Sequence, residues 1–160
     1  RGNVISHVTI GNTTEINAAK RLATAVGSAN LPTSIWNRAL QRRIKDFADG
    51  MPVDFLEFEV ELGHLPPFMR LVAENCRQIS YGETKSYGEL ARLSGSPRAA
   101  RAVGNVMRNN RCPIVIPCHR VVLGDGRIGG FSAPQGVQLK ERLLAMEAAS
   151  RGVARQLALG

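Results

Sequence analysis

The chain has 160 residues, and a hydrophobic content of 44% is enough for a packed core, so disorder is not the default. No uncharged apolar run is long enough to cross a bilayer, which excludes a membrane-spanning protein. The formal net charge of +8 makes nucleic acid the leading partner, although a basic surface without such a partner would carry the same charge.

The first third of the chain predicts short elements of mixed α/β type. Its start lacks an apolar signal segment and an initiator Met, so we expect the N-terminus to be trimmed or incomplete. Residues 8–10 predict a strand, and apolar residues at helical spacing predict a helix over 16–26. A loop is predicted over 30–34. The spacing of apolar residues over 36–47 then predicts an amphipathic helix that ends near Gly50.

A domain boundary is predicted after the acidic segment that follows. Phe58, Val60 and Leu62 alternate with glutamates, which is the period of a half-exposed strand. The proline pair in the segment 63–67 breaks regular structure and indicates a linker. We therefore expect an N-terminal α/β domain over 1–63 and a second domain over 64–160, which begins with a helix.

Two short helices in tandem are predicted in the second domain. Ser86 and Glu89 form a Ser-x-x-Glu capping box, and Gly95 ends the helix that it begins. Ser96 is predicted to cap the next helix, with Pro97 at its first position. Two helices joined by a few residues with a glycine are typical of a helix-turn-helix.

The second of these helices has a basic outer face. Its inward face is predicted to hold Ala99, Ala102, Val103 and Val106. Its outward face is predicted to hold Arg98, Arg101, Asn105 and Arg108, with the small residues Ala100 and Gly104 between them. Small residues allow close approach to a groove wall, and arginines supply phosphate contacts. The alternative is an ordinary solvated helix face.

The apolar run 113–116 predicts a buried strand. Cys118 is the candidate nucleophile, because it lies beside His119 on a stiff turn at the end of that strand. Adjacent side chains on an extended segment point apart, so a direct contact and a bridging water both remain open. Glu147 lies on or beside the apolar stripe of the last helix, and a buried Glu needs a partner. It is the candidate third member of a Cys-His-Glu relay; a solvated carboxylate is the alternative.

The remaining cysteines indicate the compartment. Cys76 and Cys112 are interpreted as small inert residues. An odd number of cysteines without a close pair excludes a disulfide framework and indicates a reducing, cytoplasmic environment. Cysteines and histidines this widely separated, without a CxxC or HxxxH pattern, predict no structural metal site.

The stretch from Pro67 to about Glu147 closely resembles the O6-alkylguanine-DNA alkyltransferases, the methylated-DNA–protein-cysteine methyltransferases. The resemblance is carried, in order, by 81–84 (YGET), 86–91 (SYGELA), 99–104 (AARAVG), Asn110 with Pro113-Ile114, and 116–121 (IPCHRV). It implies an RNase H-like α/β domain, apparently shortened, followed by a winged-helix-like domain with the active Cys. Within the first domain, the resemblance covers the later part, Leu40 to Leu62.

The resemblance also implies a role for each site residue. Cys118 accepts the alkyl group, His119 takes its proton through water, and Glu147 orients His119. Asn110 braces the turn, and Tyr87 donates a proton towards N3 of the leaving guanine. The implied lesion pocket consists of Tyr87, Pro113, Val121, Phe131 and Ser132.

The implied DNA contacts lie along the helix-turn-helix. Arg101 enters the base stack, and Ala99, Ala100, Ala102 and Gly104 line the minor groove. The further contacts are Ser96, Arg98, Asn105 and Arg108. The implied protein is a monomeric, cytoplasmic DNA repair enzyme that flips O6-alkylguanine, and by expectation O4-alkylthymine, out of duplex DNA and reacts once. It needs no metal or organic cofactor.

One departure and two alternatives follow. Phe131 stands where the family often has a Tyr, and the loop after it is longer, which bears on the acceptance of bulky O6 groups.

An alkyltransferase-like lesion sensor would keep the helix-turn-helix without a reactive Cys, and the presence of Cys118, His119, Asn110 and Glu147 together favours the enzyme. The repair half of a longer transcriptional regulator is the other alternative.

Overall fold

A computed structural model of the protein describes the backbone of residues 4–28 and 37–157 and the side chains of these ranges up to Arg151. The predicted loop over 30–34 and Trp36 lie outside the described residues. Over the described part, the chain is mainly helical with a small parallel sheet. The helices are α1 (Glu15–Val26), α2 (Arg38–Ala48), α3 (Pro67–Arg77), α4 (Tyr87–Leu93), α5 (Ala100–Arg108) and α6 (Gly136–Leu157). A 3₁₀ turn spans Cys118–Arg120, and the strands are β1 (Lys85–Ser86) and β2 (Val121–Val122).

The predicted first helix is confirmed, but the strand predicted before it is wrong. The side chain of Thr14 caps α1 by accepting from the Asn17 amide, and Gly27 ends it at φ 68°. Residues 8–10 form no strand, because the Val8 amide donates to the Arg111 carbonyl (2.8 Å) and ties this segment to the loop after α5. The N-terminal segment instead makes one parallel bridge, between Ile5 and Val60.

The acidic segment before α3 has the burial pattern of a strand without a full ladder. Phe58 and Val60 are buried whereas Glu57 and Glu59 are exposed, as the alternation predicts. Its ladder hydrogen bonds are the two of the Ile5 bridge, so the half-exposed strand is reduced to one pair. Leu40 and Phe47 of α2 pack into the same core as the C-terminal helices, and this brings the N-terminal part against the Cys118 region.

The helix-turn-helix is formed by α4 and α5, which pack on each other and on α3. The capping box is confirmed: the Ser86 hydroxyl accepts from the Glu89 amide (3.1 Å), and the Glu89 carboxylate accepts from the Ser86 amide (2.7 Å). The predicted start of the second helix is wrong. Residues 96–99 form a turn, with the Ala99 amide donating to the Ser96 carbonyl (2.9 Å), so α5 begins at Ala100 without a side-chain cap.

The small sheet joins the helix-turn-helix to the segment that contains Cys118. β1 immediately precedes α4 and pairs in parallel with β2, with Lys85 opposite Val121 and Ser86 opposite Val122. Since β2 directly follows the 3₁₀ turn, the pairing fixes Cys118 relative to Tyr87 at the start of α4. Among the described residues, no helix is long and apolar enough to cross a membrane.

Candidate active site

Cys118 is held by a tight loop between α5 and β2. The strand predicted over 113–116 is wrong, because this segment folds back on itself in a turn with a bridge between Pro113 and Ile116. The Ile116 amide donates to the Cys112 carbonyl (2.8 Å), and the Cys118 amide donates to the Ile116 carbonyl (2.8 Å). Ile114 has φ 73°, which is a strained conformation for a β-branched residue and one that clusters at functional sites. Cys118 is 4% exposed, so its thiol is a buried group.

Asn110 supports both the loop and the sulfur. Its Nδ2 donates to the Ile116 carbonyl (2.8 Å) and to Cys118 Sγ (3.0 Å), while its Oδ1 accepts from the Cys112 amide (3.0 Å). The side chain therefore spans the turn and directs a donor at Sγ, where a thiolate would accept it. This is the bracing geometry that the resemblance implied for Asn110.

His119 and Glu147 form a completely buried pair. His119 Nε2 lies 2.8 Å from Glu147 Oε1, and the side chain of Phe47 packs edge-on against the imidazole at 6.0 Å between ring centroids. A carboxylate oxygen can only accept, so Nε2 carries the hydrogen and Nδ1 of the neutral ring carries a lone pair. Nδ1 is buried and has no hydrogen-bond partner among the described residues. The predicted buried position of Glu147 and its pairing with His119 are thus present.

Arg120 completes the pair and was missed by the sequence reasoning. Its Nε donates to both carboxylate oxygens of Glu147 (3.2 and 3.0 Å), and its Nη2 donates to Oε1 (3.0 Å). Its Nη1 donates to the Ile79 carbonyl (2.7 Å), and the guanidinium lies 5.6 Å from the ring centroid of Tyr81. The Gly82 amide also donates to Glu147 Oε2 (2.8 Å). The available signal was a charged residue in a short segment, Cys118-His119-Arg120, that joins two apolar runs.

The pKa directions describe a resting site of thiol, neutral imidazole and carboxylate. Burial raises the pKa of Cys118, and the Asn110 hydrogen bond only partly opposes this. Burial lowers the pKa of His119 despite the Glu147 carboxylate. Burial alone would raise the pKa of Glu147, but the hydrogen bonds from His119 and Arg120 outweigh it and hold the pKa below its ordinary value. The imidazole is therefore free to take a proton from the thiol when the sulfur reacts.

The other cysteines lack these features. Burial raises the pKa of Cys76 well above its ordinary value and that of Cys112 to about 12. Neither thiol receives a hydrogen bond like that from Asn110 to Cys118 within the described residues. Their interpretation as inert residues agrees with this geometry.

Lys140 is a second charged residue that the sequence reasoning missed. It is completely buried, and its Nζ donates to the Val121 carbonyl (2.6 Å) and lies 6.0 Å from the Tyr87 ring centroid. Burial lowers its pKa, and its positive charge lowers the pKa of Cys118 in part. Lys140 lies two helical turns before Glu147 on α6, so the same spacing that pointed to Glu147 could have found it.

Tyr87 lines a cavity of about 480 Å³ that reaches Cys118. A Cβ on Gly129 would lie 2.9 Å from Tyr87 Oη, so the absence of a side chain there lets the phenol occupy its position. Burial raises the pKa of Tyr87, which keeps the phenol protonated. The cavity is also lined by Gly104, Met107, Arg108, Gly130, Phe131 and Ser132.

Two residues that were predicted to line the lesion pocket, Pro113 and Val121, do not line the cavity beside Tyr87. Pro113 lines a second cavity that also reaches Cys118, together with Phe131 and Ser132. Val121 lines neither of these cavities; it is completely buried, and its carbonyl accepts from Lys140. Val121 belongs to β2, which pairs with β1, and its place in the pocket wall stays a prediction.

The outer face of α5 is basic, as predicted. Arg101, Asn105 and Arg108 are exposed on α5, Arg98 is exposed in the turn before it, and Val103 and Val106 are buried. None of the three arginines makes a side-chain hydrogen bond or ion pair with another described residue, so their charges are available to a partner. The small residues Ser96, Ala99, Ala100, Ala102 and Gly104 are partly exposed beside them.

Together, these features define a class: a helix-turn-helix protein with a buried cysteine, held by Asn110, next to a buried His-Glu pair. A sequence model described as "6-O-methylguanine DNA methyltransferase, DNA binding domain" matches residues 67–149. The chain belongs to this methyltransferase family.

The relatives support the same assignment over different shares of the chain. The methylated-DNA–protein-cysteine methyltransferase of Mus musculus is 52% identical over 82 residues, which is 51% of this chain and 38% of that protein. The crystal structure of Mycobacterium tuberculosis O6-methylguanine methyltransferase has a TM-score of 0.70 at 28% identity and covers 93% of this chain and 84% of that one. The structure of Mycobacterium tuberculosis OGT in complex with DNA has a TM-score of 0.64 at 34% identity, over 69% of this chain and 66% of that one.

The chain spans about half the length of the curated relatives that it matches, from 32% to 58%. Residues 67–149, which the family model matches, contain the helix-turn-helix, Cys118, His119 and Glu147.

Proposed function

We propose that the protein repairs DNA by transferring the alkyl group of O6-alkylguanine irreversibly to its own Cys118. The observation that carries this proposal is the buried Cys118, whose Sγ accepts a hydrogen bond from Asn110, next in sequence to the buried His119–Glu147 pair and close to a basic helix-turn-helix. The substrate is double-stranded DNA that contains the lesion, and O4-alkylthymine is a further expected substrate. A thioether does not hydrolyse, so each molecule reacts once.

The proposed first step is extrusion of the damaged base. The O6 substituent is out of reach while the base is stacked, so the nucleotide must leave the duplex. Arg101 is exposed on α5 without a described protein partner, and its guanidinium can fill the gap in the stack. The cavity of about 480 Å³ between Tyr87, α5 and the segment 130–132 has room for the extruded base.

The proposed chemical step is a single displacement at carbon. His119 Nδ1 takes the thiol proton of Cys118, through a water molecule where the two do not touch directly. The S–C bond forms as the C–O6 bond breaks, and the electron pair of that bond passes to the guanine oxygen. Tyr87 supplies a proton to the departing ring, which lowers the charge that develops on it. Glu147 stabilises the imidazolium of His119 during transfer.

The organisation around this site is part of the proposal. We propose that residues 1–63 form a shortened RNase H-like α/β domain and residues 64–160 a winged-helix-like domain. The alternating burial around Phe58 and the bridge between Ile5 and Val60 support a strand remnant in the first part. Phe47 contacts His119, so the first part also supports the relay. We propose that the protein acts in the cytoplasm, where its thiol stays reduced.

The direct test is intact mass after incubation with duplex DNA that contains O6-methylguanine, followed by peptide mapping. We expect a gain of one methylene on the Cys118 peptide, at one equivalent per protein. Cys118→Ala should bind the lesion without gaining mass; alkylation of another cysteine in this variant would contradict the assignment. Tight lesion binding by the unaltered protein without any mass gain would instead identify a damage sensor.

A further inference from the structure

Cys118 lies at the junction of two cavities. One is the cavity of about 480 Å³ beside Tyr87. The other, of about 600 Å³, extends to α1 and the segment 7–10, and we call it the α1 cleft. The two cavities share Cys118, Arg108, Phe131 and Ser132. A group held in the first can therefore extend past the sulfur into the second.

The geometry of the displacement reaction indicates which part of the substrate the α1 cleft accommodates. The sulfur, the attacked carbon and O6 must be aligned when the bond forms. The rest of a longer alkyl group then projects sideways from that line, and it needs space beside Cys118 rather than behind the base. The α1 cleft is the larger of the two cavities that reach the sulfur, and a methyl group would leave it unused.

The charge of the α1 cleft indicates the kind of substituent. Lys20, Arg21, Arg108 and Arg111 line it, and no Asp or Glu does among the described residues. Lys20 and Arg21 are exposed on α1, and neither side chain makes an ion pair within the described part of the chain. Burial and the neighbouring charge of Arg111 lower the pKa of His7, which also lines the cleft.

We propose that the α1 cleft selects long O6 substituents that end in an anionic group, with Lys20 and Arg21 as the recognising cations. This inference rests on the proposed function. The thiol proton of Cys118 passes to His119, the S–C bond forms, and the C–O6 bond breaks with its electron pair going to guanine, which takes up a proton. The whole substituent then remains on Cys118 as a thioether, with its carboxylate in the cleft, and no co-reactant is needed.

The test compares matched substituents in the same duplex. O6-carboxyalkylguanines of increasing chain length, from carboxymethyl to 6-carboxyhexyl, are each paired with the primary amide of the same length. Transfer to Cys118 is followed by intact mass under single-turnover conditions. We expect the long carboxylates to react faster than their amides by roughly three- to ten-fold at low salt, and the difference to shrink as salt rises.

The matched variants separate recognition of the substituent from general attraction to DNA. The double variant Lys20→Gln/Arg21→Gln should lose the preference and keep its rate with O6-methylguanine. Arg38→Gln/Arg42→Gln removes the same charge from exposed positions on α2 that do not line the cleft, and it should keep the preference. Equal reaction of carboxylates and amides in the unaltered protein would overturn the inference. Equal slowing of both by the α1 variant would assign Lys20 and Arg21 to DNA phosphates instead.

Failure of the proposed function is distinguishable. If O6-methylguanine gives no transfer, the repair reaction is wrong, and the affinities of Cys118→Ser for the carboxylate and amide duplexes still decide whether the cleft recognises the anion. A tighter complex with the carboxylate that depends on Lys20 and Arg21 would support the cleft as an anion site. Equal affinities for the carboxylate and amide duplexes would contradict an anion site in the α1 cleft.

Discussion

His119 Nε2 and Glu147 Oε1 are 2.8 Å apart, and both side chains are completely buried. The contact fixes the imidazole tautomer, because the carboxylate accepts from Nε2 and leaves the lone pair on Nδ1. Arg120 and the Gly82 amide hold the same carboxylate, so groups from separate segments keep it ionised. A proton that moves from the Cys118 thiol to His119 therefore produces an imidazolium cation beside the carboxylate anion of Glu147, which is already ionised.

Replacing Glu147 by Gln should impair both stability and transfer. The change leaves the buried guanidinium of Arg120 without its counter-charge, which costs about 3–5 kcal/mol when one partner of a buried pair is removed. The alkyl-transfer rate should fall by roughly 10²–10⁴, the range for loss of acid–base assistance. Urea unfolding measures the first effect, and single-turnover mass spectrometry at a temperature where the variant is folded measures the second.

Glu83→Gln is the matched control for Glu147→Gln. Glu83 pairs with Arg151 at 3.2 Å, and both side chains are largely exposed. Loss of an exposed pair costs about 1 kcal/mol at most, and the transfer rate should not change. A folded Glu147→Gln protein with an unaltered rate would show that the carboxylate has only a structural role.

Stability should decrease as the pH falls below about 6.5. Burial lowers the pKa of His119 from its ordinary value of 6.5, so below that pH the unfolded chain binds a proton that the folded protein does not. The lowered pKa of His7 acts in the same direction. The pKa of Glu147 is lowered from 4.5 and adds a further loss in the more acidic range.

The measurement is the free energy of unfolding in urea between about pH 8 and pH 5. In His119→Gln the slope of stability against pH should be shallower, by up to about 1.4 kcal/mol per pH unit, since one proton is removed from the difference between the two states. His7→Gln should reduce the remaining slope. An unchanged slope in His119→Gln would mean that the imidazole titrates alike in the folded and unfolded chain.

Local sequence signals predicted the helices and the reactive turn well. The capping box at Ser86, the glycine stop at Gly27 and the apolar spacing that buries Phe47 depend on neighbours within a few residues, and each is present in the structure. Glu147 was found for a similar reason, because helical spacing placed it on a buried stripe. The α/β, RNase H-like fold of the N-terminal part stays a prediction.

The errors arose where distant segments decide the outcome. The segment 8–10 has the composition of a strand, but the Val8 amide bonds to the Arg111 carbonyl, and no local pattern contains that partner. Ser96 has the local signal of a helix cap, yet the turn that joins α4 to α5 uses its carbonyl instead. Arg120 and Lys140 were passed over because charged residues are expected at the surface, and only the fold shows what neutralises or solvates them.

Arg101→Ala should separate base extrusion from chemistry. The side chain is exposed on α5 with no described protein partner, so its loss should not affect stability beyond about 0.5 kcal/mol. Repair of O6-methylguanine in duplex DNA should slow far more than the reaction with free O6-benzylguanine, which needs no extrusion. Arg98→Ala is the control: it should weaken duplex binding through a lost phosphate contact and flatten the salt dependence, without this selective effect. Equal losses on both substrates would remove the extrusion role from Arg101.

Gly129→Ala should displace Tyr87 and slow transfer while leaving the fold intact. The added methyl would lie 2.9 Å from Tyr87 Oη and 3.2 Å from its Cε2, so the half-buried phenol must move. Because Tyr87 is the proposed proton donor, its displacement should reduce the transfer rate by about ten-fold or more, as expected when general acid catalysis is lost. Gly124→Ala is the matched control, because a Cβ there meets nothing within 4 Å. Single-turnover rates with O6-methylguanine duplex, compared with those of Tyr87→Phe, measure the effect. A Gly129→Ala protein that transfers as fast as Gly124→Ala would show that the position of the phenol does not limit the reaction.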